Sequence, residues 1–154
     1  MIDKIFSSMD EAVADISDGS TIMFPGFGNT GIPRNLMAAL LTQGAKNLIG
    51  ISNGSGGRDD RIDIGGLVRA RKFKKLVMAF TASPHPSRAT IFNELYEAKE
   101  IEAELVTQGT MAERIRAAGA GIGAFYTPAS VGTELAVGKM RWTIDETKYV
   151  LFFS

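Results

Sequence analysis

Gly26, Gly28 and Gly31 stand in the order Gly26-Phe27-Gly28-Asn29-Thr30-Gly31, between an apolar run, Thr21 to Phe24, and a helical pattern that opens at Pro33. This is G-x-G-x-x-G after a strand and before a helix, the setting in which backbone N–H groups approach a pyrophosphate. A dinucleotide site also needs an acidic residue about 20 positions on, at the end of the next strand, to hold a ribose hydroxyl. That strand ends here in Ile51-Ser52-Asn53, and Asp59 comes too far along. The nicotinamide reading fails on this second half, and a tight turn whose glycines permit positive φ is the plainer alternative.

Other chemistry is bounded by what the chain lacks. With no cysteine, disulfides, thiolate catalysis and zinc–sulfur sites are excluded. The single His85, between Pro84 and Pro86, cannot build a histidine-rich metal site and reads as a surface residue, so no metal is expected. Glu11, Glu94, Glu97 and Glu113 fall on helix faces, where a carboxylate is ordinarily just solvated. Glu134, beside the last glycine loop, is the one acid in a suggestive place for a nucleophile. Arg114 and Arg116 could contact ligand phosphates or simply hold the helix surface, the plainer reading, and Phe125 and Tyr126 read as strand core rather than a stacking platform. Lys plus Arg equals Asp plus Glu at 17 each, a balance that argues against nucleic acid or a membrane surface as partner. No signal segment or transmembrane run is visible, so a cytoplasmic location is expected.

These residues need elements to hold them. Hydrophobic residues make up 45% of the 154-residue chain and charged residues 22%, the balance of one globular domain, and a single domain over 1–154 is expected. Ser8 to Glu11 reads S-x-x-E, a capping box, with Met9, Ala12, Val13 and Ile16 at helical spacing up to Asp18-Gly19. Thr21 to Phe24, Asn47 to Ser52, Lys75 to Phe80, Ile101 to Val106 and Gly123 to Tyr126 read as strands. Helical patterns lie between them: Pro33 to Leu41, a short one around Leu67, another from Ile91 to Ala98, and Thr110 to Ala118 ending at Gly119. Ser83 to Pro86 reads as a turn, and Lys148 to Phe153 as a last strand. Alternating strands and helices give an α/β fold with an open, largely parallel sheet flanked by helices. Ligands of such sheets bind beyond the carboxyl ends of the strands, so the glycine loops are the place to look.

Four segments in one order carry a resemblance. Asp18 to Pro33 resembles the signature of the A-type half of class I coenzyme A transferases: D-G, an apolar run, G-G-F, three residues, then G-x-P. Ser52-Asn53-Gly54-Ser55-Gly56 is similar to their S-N-N-A-G loop. Glu104 to Arg116 resembles E-L-x-P-Q-G-T-L-A-E-R-I-R, and Gly119 to Thr133 the stretch that follows it. Enzymes acting on 3-oxoacids look nearest. The resemblance implies an A-type subunit that needs a B-type partner, because the family's nucleophilic glutamate sits in an S-E-N-G-type segment of the B half and no such segment occurs here. It implies CoA thioesters and small organic acids as substrates, no permanently bound cofactor, and an oligomer. It implies Gln108 as donor to the oxyanion, with Gly26, Phe27, Gly28, Gly31, Asn53, Gly54, Gly109 and Thr110 around substrate and CoA.

Departures from the pattern are visible. Pro25 replaces the first glycine of G-G-F, Thr107 replaces a proline before Gln108, and Ser130 replaces a glycine. Family A halves continue beyond the region matching Lys148 to Leu151, so a fold shortened at its C-terminal end is expected. Tyr149 to Phe153 is then expected on the edge of an unfinished sheet, inviting self-association. A non-catalytic remnant that keeps the fold and binds a partner or an acyl-CoA is the alternative function.

Overall fold

The computed structural model describes residues 4–28, 30–57, 62–81 and 89–154. Asn29, the charged run Arg58 to Arg61 and the turn Ser83 to Pro86, with His85, lie outside the described residues. Contacts group the chain into two compact units, 1–104 and 105–154.

The first unit alternates helix and strand: α1 (Met9–Val13), β1 (Thr21–Phe24), α2 (Arg34–Thr42), β2 (Leu48–Gly54), α3 (Ile64–Arg69), β3 (Phe73–Phe80), α4 (Ile91–Glu97) and β4 (Glu102–Leu105). The strands form one sheet in the order β1-β2-β3-β4, with β1 to β2 and β2 to β3 pairing in parallel. This is the α/β sheet with flanking helices that the alternation implied. In β3, Leu76, Val77 and Met78 are buried in succession, the unbroken apolar run of an inner strand. Leu48, Leu76 and Met78 meet Met37 and Leu40 of α2, Leu67 and Val68 of α3, and Phe92 and Leu95 of α4 in one core. Gly50 has no side chain because none fits: a Cβ there would lie 2.5 Å from Leu76 Cδ2 and 2.8 Å from Phe73 Cε1.

Helix ends in this unit follow side-chain chemistry. Ser8 caps α1 by accepting from the Glu11 N–H, but the Glu11 carboxylate bonds Ser7 rather than closing the box on Ser8. The helix stops at Val13, short of the Asp18-Gly19 end that the apolar spacing suggested. Thr90 and Asn93 make a full capping box at the start of α4. Behind α2, the buried Lys72 donates its ammonium to the carbonyl of Gln43, the C-cap, and to that of Ala45, two residues beyond it. α3 and α4 both close with a left-handed residue that is not glycine, Arg71 at φ 55° and Lys99 at φ 59°.

The second unit holds α5 (Gln108–Gly119), β5 (Ala124–Thr127), a 3₁₀ turn (Glu134–Ala136), β6 (Arg141–Ile144) and β7 (Thr147–Phe153). Its sheet is antiparallel, in the order β5-β7-β6. Val150 and Phe152 of β7 pack with Ala136, Phe125 and Val131. β7 is therefore the middle strand of its sheet, paired on both sides, which corrects the expected exposed edge at Tyr149 to Phe153. A two-residue turn, Asp145-Glu146, joins β6 to β7 with φ of 45° and 66°. Positive φ at both central positions is the hairpin turn whose twist matches that of the strands.

Candidate active site

The glycine loop after β1 folds back on itself. Phe27 and Thr30 exchange both backbone hydrogen bonds, N–H to carbonyl at 3.0 and 3.1 Å. Gly28, at φ 58°, sits at the tip of this hairpin, and Gly31 leaves it at φ 72°. Gly26 has φ 114°, and a Cβ there would come within 2.8 Å of Ile32 Cγ1 and 3.0 Å of the Thr30 carbonyl. Glycine is required at 26 by both torsion and space. The left-handed residue is thus Gly26, so Pro25 stands where its fixed negative φ fits. The β1–β2 ladder has already closed at Phe24 and Ser52, and the missing N–H of Pro25 costs no strand pairing. Ile32 and Pro33 separate Gly31 from α2, so the third glycine does not open the helix as a dinucleotide fingerprint requires.

The second glycine loop lies next to the first. Phe24 is opposite Ser52 in the ladder, which brings the start of the hairpin beside Asn53 and Gly54 at the end of β2. Gly26, Phe27, Gly28, Gly31, Asn53 and Gly54 are therefore gathered along the carboxyl edge of the parallel sheet. Phe27 is exposed there and Asn53 half-buried. Beneath them the chain is tied down: the buried Ser52 hydroxyl donates to the Gly54 carbonyl at 2.8 Å, and the Ser55 N–H donates to the Phe80 carbonyl at 3.2 Å.

Asp63 clamps this second loop. Its carboxylate accepts from the Gly57 N–H and, as N-cap of α3, from the Gly66 N–H, both at 3.2 Å, and the residue is buried. One carboxylate thus fixes both the loop and the helix that follows. The close approach it enforces needs bare backbone, because a Cβ on Gly56 would lie 2.3 Å from the Gly65 nitrogen and one on Gly65 2.5 Å from the Gly57 nitrogen. Asp63 belongs to none of the motifs read from the sequence. Its one signal there is an Asp ahead of Ile64, in the N-cap position of a short helix.

In the second unit, Gln108 is the first residue of α5 and is exposed. Thr107 takes the cap position, so Gln108 is not the N-cap. Thr110 is buried, with its hydroxyl 2.7 Å from that of Thr107. Gly109 lies in the same first turn with open space where a Cβ would be. Further along the helix, Glu113 and Arg116 form a two-bonded ion pair at 2.7 and 2.8 Å. The guanidinium holds the Glu113 carboxyl below its ordinary range. Glu134 opens the 3₁₀ turn and is exposed. Among the described residues no cluster of histidines and acids is placed to hold a metal ion, and no helix is long and apolar enough to cross a membrane.

Residues 6–152 match the coenzyme A transferase family. The chain is 46% identical over 151 residues to the A-type subunit of 3-oxoadipate CoA-transferase from Pseudomonas putida, covering 98% of this chain and 63% of that one. It is 41% identical over 148 residues to the A-type subunit of a probable succinyl-CoA:3-ketoacid coenzyme A transferase from Bacillus subtilis, covering 96% and 59%. The chain thus spans about 60% of the length of these relatives. Among solved structures, glutaconate coenzyme A-transferase from Acidaminococcus fermentans superimposes with a TM-score of 0.76 at 18% identity, over 98% of this chain and 53% of that one. An acyl-CoA transferase from Escherichia coli, in a thioester complex with CoA, gives 0.74 at 23% identity, over 95% and 31%. At such identities the two structures bear on the fold alone.

Proposed function

We propose, for a chain that belongs to the coenzyme A transferase family, the role of the A-type half of an enzyme that moves CoA between an acyl-CoA, such as succinyl-CoA, and a 3-oxoacid. The observation that carries this reading is the pair of glycine loops side by side at the carboxyl edge of the sheet, inside a match that runs almost the length of the chain. Both units are taken as parts of one A-type domain.

The chemistry assigns a division of labour. A glutamate of a B-type partner attacks the thioester carbon of the acyl-CoA. The CoA thiolate leaves, and an acyl-glutamate anhydride forms. The thiolate then attacks the glutamyl carbonyl, the first acid departs, and the enzyme carries CoA as a glutamyl thioester. The second acid takes CoA by the same steps in reverse. Each addition creates an oxyanion that needs a fixed donor. The side-chain amide of Gln108 fills that role, with Gly109 and Thr110 shaping the turn that presents it. Gly26, Phe27, Gly28 and Gly31 form the floor, a hairpin whose three glycines add no side-chain bulk and whose one ring, Phe27, stands exposed. Asn53 and Gly54 line the neighbouring wall. Water must be kept from the anhydride, and the exposed Phe27 ring is the apolar cover this chain supplies. The setting is cytoplasmic, and the working form is an oligomer with the B-type chain.

Co-expression with a B-type partner, followed by an exchange assay between succinyl-CoA and a 3-oxoacid, tests the reading. The pair is expected to transfer CoA and this chain alone is not. Transfer by the purified single chain would overturn the division of labour and make Glu134 the first suspect. A stable pair that transfers nothing would leave the non-catalytic alternative standing.

A further inference from the structure

The second glycine loop is pinned along its length. At its start the buried Ser52 hydroxyl donates to the Gly54 carbonyl, and the buried Ser55 gives its N–H to the Phe80 carbonyl. At its end the loop meets the start of α3. Gly57 donates its N–H to Asp63 Oδ2 at 3.2 Å, while Asp63 Oδ1 accepts from the Gly66 N–H at 3.2 Å. On its other side Gly57 lies against the cap of α4, where a Cβ would come within 3.1 Å of Thr90 Cγ2. Gly56, between Ser55 and Gly57, is exposed and turns the chain at φ 67°. Capping a helix takes one side-chain oxygen, and Ser8 and Thr90 cap α1 and α4 with a hydroxyl each. The cap of α3 accounts for Asp63 Oδ1, and holding the loop accounts for Oδ2. A wall fixed before its ligand arrives binds without the cost of ordering, and one that is in place only part of the time binds more weakly by that fraction.

We propose that Asp63 is a positioning residue for acyl-CoA binding: its second oxygen holds Gly57, and with it the exposed turn at Gly56, in place beside Asn53 and Gly54. This rests on the reading of the two glycine loops as the acyl-CoA site.

Two variants disturb the loop by different routes. Asp63→Asn keeps a good N-cap and loses one of the two acceptors. Gly65→Ala leaves Asp63 in place and sets a Cβ 2.5 Å from the Gly57 nitrogen. In the pair with a B-type partner, calorimetry should show each folded variant binding succinyl-CoA about fivefold more weakly or worse, the worth of one hydrogen bond. KM should rise alike, with kcat changed by less than about twofold. On this chain alone, amide exchange at Gly57 should quicken by about tenfold or more in Asp63→Asn, with Ile49 in β2 unchanged. Gly66→Ala, which enters open space, and Ser8→Ala, which loses the α1 cap, should leave affinity as it was, separating lost positioning from lost stability. Unchanged affinity in folded Asp63→Asn and Gly65→Ala, equal weakening in Ser8→Ala, or unchanged exchange at Gly57 would overturn the proposal. A pair that binds succinyl-CoA and transfers nothing would overturn the transfer reading alone, and the affinities would still decide the role of Asp63. A pair that binds none would overturn both.

Discussion

Gly65 and Gly66 are neighbours in the same helix, yet alanine at the two positions should change stability in opposite directions. At Gly65 the new Cβ would lie 2.5 Å from the Gly57 nitrogen and 2.8 Å from its Cα. Ordinary contact begins at 3.4 Å, so backbone must retreat by about 0.9 Å. The atom in the way cannot swing aside as a side-chain tip would, because Gly57 is tied to Asp63 by a bond already 3.2 Å long. Moving it that far breaks the bond and leaves a buried carboxylate oxygen short of a donor. Overpacking of this kind costs about 1–3 kcal/mol and the lost bond about 1 kcal/mol. Set against a helix-propensity gain of about 0.5–1 kcal/mol, Gly65→Ala should destabilise by about 1–3.5 kcal/mol. At Gly66 nothing lies within 4 Å of the would-be Cβ. Only the propensity gain remains, and Gly66→Ala should stabilise by about 0.5 kcal/mol or slightly more. Urea unfolding followed by far-ultraviolet circular dichroism measures both. With a slope of about 1.5 kcal/mol per molar, the two midpoints should part by roughly 2 M. Equal midpoints, or a Gly65→Ala midpoint at or above that of the unmodified chain, would refute the close approach of the second glycine loop to α3.

Four further outcomes are expected. Glu146→Gly should raise stability by about 0.5–1 kcal/mol, since position 146 holds φ 66° without a glycine; an unchanged or lower melting temperature would count against the hairpin. Burial, aided by the nearby Lys46 charge, lowers the affinity of Lys72 for its proton below that of the unfolded chain. The unfolded state then binds more protons in the alkaline window below 10.5, so Lys72 adds a stability term that rises with pH there. Lys72→Met should flatten that slope and, by leaving the Gln43 and Ala45 carbonyls without this donor, cost about 1.5–3 kcal/mol; a melting profile with the slope intact would contradict the burial. Glu113, whose carboxyl is held low by Arg116, should titrate below 4.5 by carboxyl NMR, so its pair persists above that pH and is lost as pH falls through the lowered value; Arg116→Ala should return the midpoint to 4.5. In an active pair with a B-type partner, Gln108→Ala should cut kcat by about 10²–10³ with little change in KM, as loss of an oxyanion donor does, and unchanged turnover would remove Gln108 from the site.

The strand–helix alternation, the position of both glycine loops and the family were legible in the chain because each is written in local signals: apolar runs, breakers and caps within a few residues of one another. β1, β2, β3 and α4 fall close to where periodicity puts them. What the sequence did not reveal depends on partners far along the chain. β6 and its turn were invisible because Asp145-Glu146 lacks the Asn-Gly or Asp-Gly of a two-residue hairpin; pairing of Trp142 with Tyr149 and Thr143 with Lys148 imposes the positive φ instead. The same pairing turned the final apolar stretch from an edge into a central strand. No local signal marks Lys72 for burial; it is buried because the carbonyls of Gln43 and Ala45 reach it from 29 and 27 residues away. Asp63 reads as one more acid near a charged run and holds a glycine loop. Residue type sets what each group can do, and only the folded chain decides which donors, acceptors and backbone come within its reach.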